Sequence, residues 1–377
     1  MSTLKVDAIR HNSATSDAIT THSDGTASAK IIDVGGGPLS NRNLCINGAD
    51  MMVAQRGTST TGLQNTGGVY TIDRFAHRRG GTWANAEWKD EQVNSGTGLF
   101  KKALKKTTTT AEGSAASSGK DVLIGYYLEV QDSVAAFGDG TAEAKSFTVS
   151  FYVKASIATT YCLHLATSHL ITQKAYMKPF TVNNPNTWER KTCTFPALTN
   201  SIGTVNGSDT GTGLRFHWVL DAPTGSNPAN TWYTHTNPPT SFTYPPGQSP
   251  SGYANTLNAT FELGGVQIEA GTVATQLEHR RFGDELRSCQ LYYEIVTGCI
   301  RQADYNNYIG VTAPFKVTKR AEPTNTHVSD GNASGVSFQS FVSGMSAELK
   351  LEGCFPQWSS SAGGYAYGFK ITSEAEL

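Results

Sequence analysis

The stretch LNATFELGGVQIEAG, residues 257–271, decides how the middle of this 377-residue chain folds. Leu257, Ala259, Phe261 and Leu263 occupy odd positions, whereas Val266 and Ile268 occupy even ones. Side chains of an extended strand alternate between its two faces, so an unbroken register would send the second apolar set away from the first. The slip falls at Gly264-Gly265. A β-bulge there, with one extra residue in this strand, returns both halves to the same core, and glycine is the residue a bulge favours.

The same one-sided pattern recurs upstream. In SFTVSFYVK (146–154) Phe147, Val149, Phe151 and Val153 share a face, and Ser146, Thr148, Ser150 and Lys154 share the other. LIGYYLEVQ repeats it through Ile124, Tyr126, Leu128 and Val130, and GLRFHWVL through Leu214, Phe216, Trp218 and Leu220. Long one-sided strands separated by Gly, Asn and Pro loops predict two antiparallel sheets packed face to face, a sandwich of jelly-roll type. The expected fold class is all-β: N-terminal assembly strands over residues 1–42, a large jelly-roll domain over 43–282, and a smaller C-terminal β domain over 283–377 that a short helix precedes.

In the first region Leu4, Val6 and Ala8 alternate with Lys5 and Asp7, and DAITTHSDGTASAKIIDV offers two strand arms around an Asp-Gly turn. About forty such residues close no core alone and need a neighbour, and DVGGGPLS reads as a hinge. At the far end, Leu286, Cys289, Gln290 and Tyr293 have helical spacing, with Asp284 and Glu285 favouring the positive end of the dipole. YIGVTAPFKVTKR, SGVSFQSFVS and AYGFKITSEAEL read as strands, and AEPTNTHVSDGNASG as turns. Two long loops are expected, TTTTAEGSAASSGKD (107–121) and the Pro-rich segment 221–255. Trp232, Tyr233, Phe242, Tyr244 and Tyr253 imply that the second one packs or binds.

Thirty basic residues against thirty-one acidic ones leave a formal charge of -1, so no global field draws the chain to nucleic acid or to an anionic membrane. No apolar run is long enough for membrane insertion, and the first residues lack an apolar leader, which implies synthesis in a cytoplasm. Six cysteines without a CxxC pair read as buried free thiols rather than a zinc site.

The motifs for chemistry are sparse. Glu262 and Glu269 face outward once the bulge is counted, but seven residues of strand separate them by about 23 Å, beyond the roughly 5–9.5 Å of glycosidase carboxylates. GxSxG, HExxH and P-loop patterns are missing, and no cofactor is expected. His77-Arg78-Arg79 and His279-Arg280-Arg281 read as solvated or ion-paired faces rather than phosphate contacts. KKALKK (101–106) reads as an edge strand guarded by lysines. Asp121, Asp132, Asp139 and Asp209 lack a diagnostic calcium spacing, so no metal is assigned. Sugars stack on aromatic faces, and Trp83, Trp88, Trp232 and Tyr233 lie in Gly-, Asn- and Thr-rich surroundings. Those four are the glycan-binding candidates, whereas Trp188 and Trp218 sit on strands as core.

STLKVDAI, NLCINGADMMVAQRGTS, YTIDRFAHRR, FTVSFYVKAS and VQIEAGTVATQLEHRRFGDELRSCQLYYE together resemble the tail-fibre and related appendage proteins of tailed bacteriophages, especially those infecting marine bacteria. The resemblance spans roughly residues 1–295. It implies a virion structural protein without enzymatic activity: a homotrimer, joined to other tail or capsid proteins through residues 1–42, with a carbohydrate-binding-like jelly roll that contacts host surface polysaccharide. It carries no catalytic or ligand role onto any residue. The alternatives are a capsid- or adaptor-bound spacer without a receptor role and a polysaccharide depolymerase.

Overall fold

The computed structural model describes residues 8–9, 19–23, 26–29, 40–117, 119–138, 140–168, 170, 172–199, 210–235, 242–301, 307–342 and 346–377. Three short strands, β1 (Ala8–Ile9), β2 (Ile19–Thr21) and β3 (Ala27–Ala29), form an antiparallel sheet, with the arms of the expected hairpin paired Ile19 to Ala29. Its Asp24-Gly25 tip and residues 30–39, which hold most of the expected hinge, lie outside the described residues.

The sandwich follows, with β4 (Ser59–Leu63), β5 (Val69–Ile72), β6 (Phe75–Gly80), β7 (Glu87–Asn94), β8 (Lys102–Thr110) and β9 (Asp121–Glu129). After helix α1 (Val130–Phe137) come β10 (Phe147–Ala155), β11 (Thr160–Thr167), β12 (Lys174–Thr181), β13 (Glu189–Phe195), β14 (Thr212–Asp221), β15 (Trp232–Thr234) and β16 (Thr260–Ala270). One sheet has six strands in the order β13-β10-β16-β8-β7-β4, and the other seven in the order β15-β12-β11-β14-β9-β6-β5. Every strand pair in them is antiparallel. Their inner faces share one core that includes Phe147, Phe151, Tyr126, Phe216, Trp218, Phe261 and Ile268. This is the jelly-roll sandwich that the alternation predicts.

The bulge lies where the slip in the sequence puts it. Ser150 pairs with Gln267 and Tyr152 with Gly264, so Gly265 and Val266 together oppose Phe151. Gly265 has φ +56°. Ala259, Phe261, Leu263, Val266 and Ile268 consequently all reach the core. Leu257 does not: it precedes the strand and is 58% exposed.

Several expectations are corrected. β8, which contains most of KKALKK, lies between β16 and β7 rather than at an edge, and Lys106 is fully buried. There its Nζ donates to Asp90 Oδ1 at 2.5 Å and lies 2.7 Å from His77 Nδ1, so the charge is paired inside the protein. Thr107–Thr110 belong to that strand instead of a loop. Val130 opens α1, which buries Val130, Ser133 and Phe137 and ends at Gly138 with φ 60°. The period-2 reading ran across this boundary because Val130 satisfies both patterns.

At the C-terminal side, α2 (Phe282–Gln290) is the expected helix. It leads into β17 (Tyr293–Arg301), which the pattern did not reveal, then β18 (Asn307–Gly310), β19 (Ala313–Pro314), β20 (Thr324–Ser329) and β21 (Asn332–Phe341). A third helix, α3 (Ala347–Glu352), precedes β22 (Gly353–Cys354) and the long β23 (Pro356–Glu374), against which β17, β18, β20 and β21 all pair. The predicted turn segment is therefore mostly strand; only its Asp330-Gly331 centre turns, with Gly331 at φ 65°. Val296, Ile300, Trp358, Phe369 and Ile371 form a separate core here. Five cysteines are buried, Cys299 is exposed, and all six are free.

The seam between this sheet and the sandwich is built from arginines stacked on tyrosines. Arg74 lies 3.4 Å from the Tyr292 ring centre and pairs with Glu376 at 2.6 Å, and Arg56 lies 3.6 Å from that of Tyr293. Burial opposes the Arg74 charge, but Glu376 together with Tyr292, Tyr126 and Tyr70 outweighs it and raises the guanidinium's pKa. Tyr292 and Arg320 both donate to Glu129 Oε1. His279 hydrogen-bonds Asp50 and Arg280 pairs with Glu285, so two residues of the second His-Arg-Arg triplet are engaged with carboxylates here.

Candidate functional site

The outer face of the seven-stranded sheet is unusually aromatic and basic. Register places Arg78 beside Leu123, His217 beside Gly125 and His164, and Arg215 beside Tyr127, all on the face opposite the core-directed Ile124, Tyr126 and Phe216. The segment between β15 and β16 lays Phe242 and Tyr244 over part of this face, where they pack with Cys162, Met177 and Val219. Between that cover and the β6 edge runs a cleft of about 240 Å³ lined by Arg78, Arg79, Asp121, Tyr127, Arg215, His217 and Phe242, with Leu377 also contributing to the wall.

Glycine makes room at the floor. A Cβ on Gly125 would stand 2.8 Å from the Tyr127 hydroxyl and 3.4 Å from Arg78 Cγ, so only a bare backbone lets those side chains cross it. Arg78 holds its guanidinium 5.3 Å from the centre of the Tyr127 ring. Tyr127 meets His217 edge-on at 5.7 Å, and His217 lies 4.5 Å from Phe242.

Asp121 closes the upper end of the floor. Its Oδ2 accepts the Phe242 N–H at 2.7 Å, and its carboxyl accepts the Gly80 N–H as well. Oδ1 has no partner, although Asp121 is only 1% exposed. Burial raises this carboxyl to about pKa 7 against the pull of those N–H groups and of Arg79. His217, 3% exposed, likewise leaves Nδ1 without a partner. Burial first, then His164 and Arg215, lower its pKa well below the usual range, so it is a neutral imidazole. Burial and His235 bring His164 to about 3. The cleft thus combines guanidinium donors, neutral imidazole, a buried carboxyl and two aromatic rings.

The four sequence candidates distribute differently. Trp83 and Trp88 are core residues, packed edge-to-face at 5.2 Å, and present no ring to a ligand. Trp83 lies in the irregular segment before β7, and Trp88 is a core-facing residue of β7 itself. Trp83 nevertheless braces the cleft from behind, since its Nε1 donates to the Asp121 backbone carbonyl at 3.3 Å. Trp232 is half-buried on the sheet edge, donates to the Pro196 carbonyl and leans on Tyr176. Tyr233 shares the outer face with the cleft and hydrogen-bonds His164 at 2.9 Å, but stands beyond Phe242. Trp188, expected in the core, is half-buried with Lys154 over its ring.

Arg78 and Arg79 carry the largest change of reading: they line the cleft rather than a solvated face, while His77 of the same triplet is buried beside Lys106. Arg215 and His217 were overlooked because only the apolar half of GLRFHWVL was read. Its other half, Arg215, His217 and Val219, was the available signal. Asp132 lies outside the cleft lining, and Asp139 and Asp209 lie outside the described residues. Among the described residues, no group of three His, Cys, Asp or Glu side chains is placed to hold a metal.

No known family profile and no curated protein matches the chain. Among solved structures it is similar to the enzymatically active domain of bacteriophage CBA120 tailspike protein 4, at 9% identity and TM-score 0.30, over 60% of this chain. The chain spans about a fifth of that tailspike, 21%. It is also similar to the family 11 carbohydrate-binding module of Clostridium thermocellum, at 15% identity and TM-score 0.26, over 59% of this chain and 99% of that one. The third is the CBM22-1 xylan-binding domain of Paenibacillus barcinonensis Xyn10C, at 11% identity and TM-score 0.26, over 58% and 99%.

Proposed function

We propose that this chain is a non-enzymatic structural protein of a tailed-phage virion, a tail fibre or related appendage, that contacts a host-surface glycan at the cleft on the outer face of its sandwich. The observation that carries the glycan contact is the pair of buried, unpartnered polar atoms on Asp121 and His217 beside the rings of Tyr127 and Phe242. Buried polar groups are ordinarily hydrogen-bonded, and a sugar brings hydroxyls for them together with an apolar C–H face for the rings. Binding rather than hydrolysis is favoured by the cleft's carboxyl inventory. Asp121 is the one acidic side chain among its described lining residues, whereas glycoside hydrolysis ordinarily needs two. The virion role rests on the sequence resemblance. The short strands of residues 1–42 suit attachment and homotrimer formation.

A glycan array probed with the full chain and with Phe242→Ala tests the contact. Binding that weakens in the variant supports it, and equal binding by both places the contact elsewhere. Light scattering coupled to size-exclusion chromatography tests the assembly; a species that remains monomeric at high concentration rejects the trimer.

A further inference from the structure

The charge of the cleft narrows the kind of sugar. Three arginines line it against a single acidic side chain, in a chain whose overall charge is close to zero. Arg79 is engaged, donating to the carbonyls of Gly81 and Asn65, and Arg215 donates to Ser168 at 2.8 Å. Arg78 stacks on Tyr127, and its buried Nε lacks a partner. A guanidinium offers five N–H donors in a planar fork, so Arg78 retains donors beyond the contacts named, and Arg215 adds its positive charge beside it. Such a fork matches a carboxylate, and charge-assisted hydrogen bonds are the strong ones in a site shielded from water.

We propose that the cleft selects an acidic sugar residue, its carboxylate held by Arg78 with Arg215 alongside, its ring against Tyr127 and Phe242, and its hydroxyls on Asp121 and His217. The volume of about 240 Å³ is room enough for one sugar ring. His164 and His217 are neutral imidazoles, so the positive charge at the cleft comes from the arginines. Asp121, raised to about 7 by burial, is about half protonated at neutrality and then repels an incoming carboxylate less than an ordinary aspartate. This inference rests on the cleft being the glycan-contacting surface.

The test is calorimetric titration of the full chain with a panel of oligosaccharides containing glucuronate, galacturonate, mannuronate or sialic acid. Each is paired with its carboxyl-reduced counterpart, which keeps the stereochemistry and removes the charge. Acetate and inorganic sulfate serve as simple anions. At least one acidic sugar is expected to bind on the order of tenfold or more tighter than its reduced form. Arg78→Gln should erase that preference and Arg78→Lys should restore it only in part, with Arg215→Gln as a second, independent variant. The comparison of acidic with reduced sugar on the unmodified chain needs no variant to fold. Equal binding of acidic and reduced forms overturns the acidic selection and leaves the glycan reading standing. Binding of neutral glycans alone does the same. Acetate or sulfate binding as tightly as the sugars reduces the site to a simple anion pocket and overturns the proposal. No binding by any sugar overturns both readings.

Discussion

Gly265→Ala tests the bulge on which the sandwich register depends. Gly265 sits at φ +56°, and an added Cβ would lie 2.7 Å from Tyr152 Cδ2 and 3.2 Å from Phe100 Cδ1. Those two rings are 5.3 Å apart at their centres, so neither moves without disturbing the other. A left-handed conformation costs an L-residue about 1–2 kcal/mol and overpacking costs about 1–3 kcal/mol, so the expected loss of stability is about 2–5 kcal/mol. Urea unfolding followed by tryptophan fluorescence reads it, because Trp83, Trp88 and Trp218 lie in the same core. Gly283→Ala is the control: that glycine is exposed near the start of α2, nothing lies within 4 Å of its added Cβ, and alanine should stabilise the helix by up to about 1 kcal/mol. A Gly265→Ala protein that loses less than about 1 kcal/mol would show that the strand reaches its register without the left-handed residue.

Three further outcomes are expected. Asp90→Leu leaves Lys106 buried without its carboxylate and should cost about 3–5 kcal/mol, whereas Asp90→Leu with Lys106→Met should recover most of that loss in the same unfolding assay. Asp121, raised in the folded state to about 7 from an ordinary aspartate value, contributes stability that is fully present below about pH 4 and lost as pH rises through 7. Asp121→Asn should therefore gain stability over the unsubstituted chain between pH 4 and pH 8; a gap that stays constant across that window contradicts the buried-carboxyl assignment. Arg56→Ala removes the stack on Tyr293 and its ion pairs with Asp73 and Glu376, so limited proteolysis near residues 271–282 should accelerate while binding at the cleft stays unchanged. Unaltered cleavage would mean that the remaining contacts, the Arg74–Tyr292 stack and the Glu129 hydrogen bonds among them, hold the seam without Arg56.

The strands of the sandwich are legible because each has one wet or loop-covered face and one core face, and alternation records that asymmetry residue by residue. The bulge is legible for the same reason, since a slip of one in the apolar set has a single economical remedy at a Gly-Gly pair. Helix α2 is legible from its spacing and its acidic first turn. What failed were features set by neighbours. KKALKK resembles an exposed edge in isolation, yet β16 covers one side of β8 and β7 the other, and Asp90 arrives from the adjacent strand to neutralise Lys106. Trp83 and Trp88 resemble exposed loop aromatics, but Trp88 sits on the core face of β7 and Trp83 packs edge-on against it.

By itself the sequence determined the class of fold, the register break in the last sandwich strand and the helical joint, because these depend on local periodicity and backbone freedom. Only the tertiary structure decided which charged and aromatic residues share a surface. Arg78, Asp121, Tyr127, Arg215, His217 and Phe242 come from four separate segments, brought together when antiparallel pairing places β6 and β14 on either side of β9 and the segment between β15 and β16 folds back over them. Local patterns carry which face a side chain takes along its own strand; the neighbours it meets across the sheet are set by contacts between segments more than 100 residues apart, such as Asp121 with Phe242.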